Sequence, residues 1–122
     1  MDIKERFKEA KFIKNKIERL EEARNFIVYL RGAEIQNISD TTIGNINKQI
    51  KEGKRKLYDY ITELLNEMDK LDSILQYNIM FKRYIQFKTW SEIESEGYYT
   101  RSVMFKLHSR ALEKLNNTET TL

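Results

Sequence analysis

Thr89-Trp90-Ser91-Glu92-Ile93, then Gly97-Tyr98-Tyr99, then Thr100-Arg101-Ser102-Val103-Met104 decide how this chain folds. Thr89 followed three residues later by Glu92 is a capping box, in which each side chain satisfies a backbone N–H left over at a helix start. A short helix from Trp90 to about Glu96 is therefore predicted. Gly97-Tyr98-Tyr99 reads as its turn, and Thr100 as the N-cap of a third helix running from Arg101 to Leu115. A short helix, a glycine turn and a longer helix form the helix-turn-helix pattern. On the longer helix Met104, Leu107, Ala111 and Leu115 recur at helical spacing and are expected inward. Arg101, Ser102, Phe105, Lys106, Ser109 and Arg110 are expected outward.

Upstream, Ile74 to about Gln86 reads as the first helix of the same domain, burying Ile74, Leu75, Ile79, Met80 and Tyr84. Eight aromatic residues crowd between Tyr77 and Phe105, which places a compact core there. The boundary Asp69-Lys70-Leu71-Asp72 carries cap-like acids.

Residues 1–68 have a different texture. Ile3, Phe7, Ala10 and Ile17 form one apolar seam, with Ile13, Leu20, Ala23, Ile27 and Leu30 beside it. Asn37-Ile38-Ser39-Asp40-Thr41-Thr42 reads as turn and N-cap. Beyond it Ile43, Ile46, Ile50, Gly53, Leu57, Tyr60, Leu64, Glu67, Leu71 and Ile74 alternate in steps of three and four, the signature of a coiled-coil seam. Gly53 on that seam marks either a weak point or a close approach of two helices. The expectation is an antiparallel hairpin over 1–68, a helix-turn-helix domain over 69–115 and a frayed tail over 116–122. Two helices alone leave apolar surface uncovered, so the hairpin is expected to form a homodimer or meet a partner rather than act as a simple spacer or an intramolecular bundle.

Composition narrows the chemistry. The chain has 122 residues, enough for one domain or one with an extension. It lacks proline and has four glycines, so all-α is the expected class. Without cysteine there is no disulfide, thiolate metal site or cysteine nucleophile, and a single histidine cannot build a multi-histidine zinc site. No cofactor, metal or catalytic residue is expected. His108, the one histidine, reads as a half-buried structural or phosphate-touching group; Trp90 reads as core. No apolar run of membrane-spanning length occurs, so a cytoplasmic protein is expected. The net charge of +3 permits nucleic acid as a partner without requiring it. Its placement says more: Gly97 to Leu115 holds Arg101, Lys106, Arg110 and Lys114 against Glu113 alone. Glu92, Glu94 and Glu96 of the short helix read as a solvated face.

Arg83-Tyr84-Ile85-Gln86-Phe87-Lys88-Thr89-Trp90-Ser91-Glu92-Ile93, followed by Tyr99-Thr100 and Leu107-His108-Ser109-Arg110-Ala111-Leu112, resembles a family of small phage-encoded transcriptional regulators. Their C-terminal domain is similar to region 4 of bacterial sigma factors, and late-gene activators are among their relatives. The match covers residues 71–115. It departs at Glu94, where the pattern has alanine, and at Gly97, where a large apolar residue is usual; Tyr98 is expected to fill that place. The resemblance implies a regulator of phage or prophage genes in a bacterial host cell, binding double-stranded DNA through Thr100, Arg101, Ser102, Phe105, Lys106, Ser109 and Arg110. It adds RNA polymerase as a further partner. Phe105 remains open between thymine methyls and a protein surface. The competing expectation is a protein-interaction module on a reused helix-turn-helix scaffold, such as an inhibitor of a host enzyme or defence system, or an adaptor.

Overall fold

A computed structural model of the chain describes residues 2–32 and 40–117. Among them the protein is all-helical, with no strand. Helix α1 spans Ile3–Gly32, α2 Asp40–Met68, α3 Ile74–Met80, α4 Trp90–Ser95 and α5 Arg101–Asn117. None of these helices is long and apolar enough to cross a membrane. The predicted turn at 37–39 and the tail beyond 117 lie outside the described residues.

Short polar side chains set the helix starts. The Asp2 carboxylate accepts from the Glu5 N–H at 2.8 Å and opens α1. The Ser73 hydroxyl accepts from the Gln76 N–H and opens α3, so the cap lies one residue beyond the acids expected to supply it. The long second helix stops at Met68, where the N–H groups of Lys70 and Leu71 turn back to the carbonyls of Glu67 and Met68. Asp72, released from capping, pairs instead with Lys114 of α5 at 2.7 Å.

The chain divides into two compact units, one of residues 8–60 and one joining residues up to 7 with those from 61 onward. The division thus falls inside both long helices, whereas the change of sequence texture lies at 68/69. Aromatic packing explains this at the N-terminal end: the Phe7 ring meets Tyr84 edge-on at 5.0 Å and stacks on Phe87 at 5.5 Å. Arg6 adds an ion pair to Glu67 at 2.6 Å.

In the 8–60 unit the helices meet in opposite directions. Ile17 lies against Gly53, Lys54 reaches Glu21 at 3.7 Å, and Arg24 donates to Asn47 at 3.0 Å. A Cβ on Gly53 would stand 2.9 Å from both Cγ1 and Cδ1 of the buried Ile17. Turning χ2 moves only Cδ1, so Gly53 marks a close approach. Gly53→Ala is expected to lower stability by about 1 kcal/mol, the clash exceeding the gain in helix propensity. Gly44→Ala, with nothing among the described residues within 4 Å of the new methyl, is expected to raise it by about 0.5–1 kcal/mol. Opposite shifts of the urea midpoint check both.

The other unit buries Ile3, Phe7, Leu64 and Met68 together with Ile79, Met80, Tyr84, Ile93, Met104, Ala111 and Leu115. Ile74 and Leu75, expected in this core, are 68% and 50% exposed. Gln76, Ile79 and Met80 make the inward stripe of α3, which leaves the two preceding residues on the far side of its first turn. Beyond Met80 the helix widens into a π-helical turn over Phe81–Ile85. It ends at Phe87, whose φ of 59° is left-handed, a conformation that strains a residue with a Cβ by about 1 kcal/mol. The stack on Phe7 and the Lys88 N–H bond to the Lys82 carbonyl at 3.0 Å offset that strain.

Candidate nucleic-acid interface

The capping box forms as the spacing requires: the Thr89 hydroxyl accepts from the Glu92 N–H and the Glu92 carboxylate from the Thr89 N–H. Gly97 then takes φ +83°, and Thr100 caps α5 by accepting from the Val103 N–H at 3.3 Å. Among the described residues nothing beyond its chain neighbours lies within 4 Å of a Cβ placed on Gly97, so its backbone decides the effect of a side chain there. Gly97→Ala is expected to destabilise by about 1 kcal/mol and Gly97→Asn by less, read from thermal melts. Tyr98 does not fill the space left by this glycine; it is 77% exposed. Tyr99 packs against the Ile79, Ile93 and Met104 cluster instead. With the left-handed residue at 97, the second tyrosine after it is the one that reaches the core.

Helix α5 buries Met104, His108, Ala111 and Leu115, while Leu107 is half-buried against the same cluster. Thr100, Arg101, Ser102, Lys106, Ser109 and Arg110 are exposed, as the outward assignment requires. Phe105 departs from it. Its ring is half-buried, meets Trp90 edge-on at 5.2 Å and packs on the core cluster. The contact is long-range: α4 brings Trp90 beside the flank of α5, and burying both rings together removes apolar area from water.

His108 is a core group. Tyr84 Oη lies 2.6 Å from His108 Nε2, the rings stack at 5.6 Å, and Trp90 meets the imidazole edge-on at 4.6 Å. Burial first, then the Lys4 and Arg83 cations, push the imidazole down to about 4. Burial pushes the Tyr84 phenol up to about 12. At neutral pH a neutral imidazole thus shares a hydrogen bond with a neutral phenol through Nε2, its direction set by the imidazole tautomer. Arg83 lies between two rings, its guanidinium 4.8 Å from the Phe7 centroid and 4.9 Å from that of Trp90, and it donates to the Lys88 carbonyl. Cation–π contact with two rings holds it as a structural group.

The acids of α4 and its C-cap Glu96 are not a merely solvated face. Glu92 caps its helix, and Glu94 accepts from Arg101 at 3.3 Å. Glu96 ties Lys82 and Lys88, the latter at 2.5 Å, and these two cations hold its carboxyl below the usual range. These pairs join elements through folded contacts, so spacing alone does not reveal them. They matter for the site because they consume cations: Lys82, Lys88, Lys114 and Arg101 all have carboxylate partners. Among the described residues Lys106 and Arg110 have none. They sit one turn apart, with Ser102 and Ser109 on the same outward side. Among the described residues no group of three His, Cys, Asp or Glu side chains is placed to hold a metal.

No family model, curated protein or solved structure matches the chain.

Proposed function

We propose that this protein is a sequence-specific DNA-binding transcriptional regulator of phage or prophage genes, whose α5 enters the major groove. In this reading α4, the glycine turn and α5 are a sigma region 4-like helix-turn-helix. The two long helices form a hairpin through which the chain is a homodimer, and RNA polymerase is a further partner. The reading is carried by the cations Lys106 and Arg110 on the exposed face of α5, which have no carboxylate partner among the described residues and are flanked by Ser102 and Ser109. Lysine and arginine attract phosphate and give up counterions on binding, and arginine forks onto guanine, while serine hydroxyls bond phosphate or base. Exposed aromatics on the long helices, Phe12, Phe26 and Tyr29 on α1 and Tyr58 on α2, support the dimer. Such a dimer reads two half-sites.

Fluorescence anisotropy tests it, with duplex DNA from beside the protein's own gene titrated against a scrambled duplex at several salt concentrations. With Lys106 and Arg110 on phosphates, the logarithm of affinity should fall with that of salt at a slope of about −1.8 for each bound copy. The native duplex should bind more tightly than the scrambled one. Equal, weak binding to both overturns the proposal.

The second reading is a protein-interaction module. It is favoured by the same exposed aromatics and by the neutralisation of Arg101 by Glu94. An apolar protein interface would show little salt dependence, which separates the two.

A further inference from the structure

Glu94 lies in the last turn of α4, and Arg101 is the first residue of α5. Arg101 Nη1 donates to Glu94 Oε2 at 3.3 Å, and the guanidinium carbon lies 5.4 Å from the centre of the Phe105 ring. Phe105 is itself fixed edge-on against Trp90. The guanidinium is thus held from two sides, by a carboxylate across the turn and by a ring one turn along its own helix. A guanidinium has several N–H donors, and this arrangement uses one. Glu94 is also the acid of α4 that addresses α5: Glu92 serves the cap and Glu96 serves Lys82 and Lys88.

A carboxylate at the mouth of a DNA-binding face has two opposed effects. Its charge repels phosphate, which weakens binding to any duplex. Its hydrogen bond restrains a long side chain whose freedom would otherwise be lost on binding, and planar two-point recognition of a base edge depends on that restraint. We infer that Glu94 is a positioning residue that holds Arg101 as the reader of a guanine in the major groove, so that the chain gains selectivity while losing attraction for the backbone. The inference rests on the DNA-binding reading above.

Enrichment from a random-sequence duplex library with the full chain defines the tight duplex, and its scrambled form is the reference. Both are titrated with wild type, Glu94→Ala and Glu94→Gln, with circular dichroism confirming equal helix content. Glu94→Ala should tighten the scrambled duplex by up to about eightfold at 0.1 M salt, through loss of the repelling charge. It should lower the tight-to-scrambled ratio roughly tenfold, the value of a good bidentate base contact. Glu94→Gln keeps an oxygen for Arg101 without the charge. It should tighten the scrambled duplex equally yet hold the ratio within about threefold of wild type. Replacing the guanine that Arg101 reads by adenine should weaken wild type about tenfold and Glu94→Ala far less. An unchanged ratio in Glu94→Ala, a Glu94→Gln ratio as low as that of alanine, or indifference to every guanine overturns the inference and leaves the regulator reading standing. A wild-type chain that enriches no sequence and binds no duplex overturns both.

Discussion

Replacing Lys106 and Arg110 together by alanine is expected to weaken duplex binding roughly 60-fold at 0.1 M salt and only about threefold at 0.5 M. Each cation that neutralises a phosphate contributes about 0.9 to the salt exponent, so losing two flattens the slope by about 1.8. Both residues are exposed on α5 and have no carboxylate partner among the described residues, so their loss removes phosphate contacts while leaving the core of α5 intact. Arg101→Ala differs in kind. Its charge is already offset by Glu94, so its effect on the salt slope should be smaller than that of either Lys106 or Arg110. Titrations at five salt concentrations measure all three slopes, with circular dichroism checking the fold. A double variant with undiminished affinity and slope removes α5 from the binding surface.

Stability is expected to fall by about 2 kcal/mol as pH drops from 7 to 4, and His108 is the cause. An imidazole in the unfolded chain protonates near its ordinary value of 6.5, whereas in the fold burial holds it down to about 4. Between these values the unfolded chain binds more protons, so acid drives unfolding. The contribution is complete above pH 6.5, is lost as pH falls through the window and is flat below about 4. The figure is smaller than the full shift implies because at pH 4 the folded imidazole is itself only half protonated, so the loss is not complete over that interval. Carboxylates cannot mimic the upper part of this window. Asp72 and Glu96 are held below their ordinary range by Lys114 and by Lys82 with Lys88, so their losses come at lower pH. Urea midpoints at half-unit steps measure the curve, and His108→Gln should flatten it between pH 6.5 and 5. A curve unchanged by that substitution would place the titrating group elsewhere.

Much of the site was legible because it is local. Thr89 and Glu92 lie three residues apart, and Thr100 caps the helix that it directly precedes; such signals need no knowledge of the rest of the chain. The same holds for the apolar spacing that places Met104, Ala111 and Leu115 inward and leaves Lys106 and Arg110 outside. Ile3, Phe7, Ala10 and Ile17 were likewise readable as a buried seam. Phe105 was not, because its burial depends on Trp90 arriving from α4. Glu94 and Glu96 looked like solvent-facing acids for the same reason: their cations lie seven, eight and fourteen residues away.

By itself, then, the sequence determined the helical class, the starts of α4 and α5, and the faces of α5 except for Phe105. Capping and helical periodicity act over three or four residues and are written in the order of the chain. Tertiary structure decided that Arg101 and Lys114 of α5 pair with Glu94 and Asp72, that Tyr99 rather than Tyr98 enters the core, and that the first residues of α1 belong with the C-terminal helices. Those outcomes depend on contacts between segments distant along the chain, such as Phe7 with Phe87 and Asp72 with Lys114, which exist only once the helices have packed.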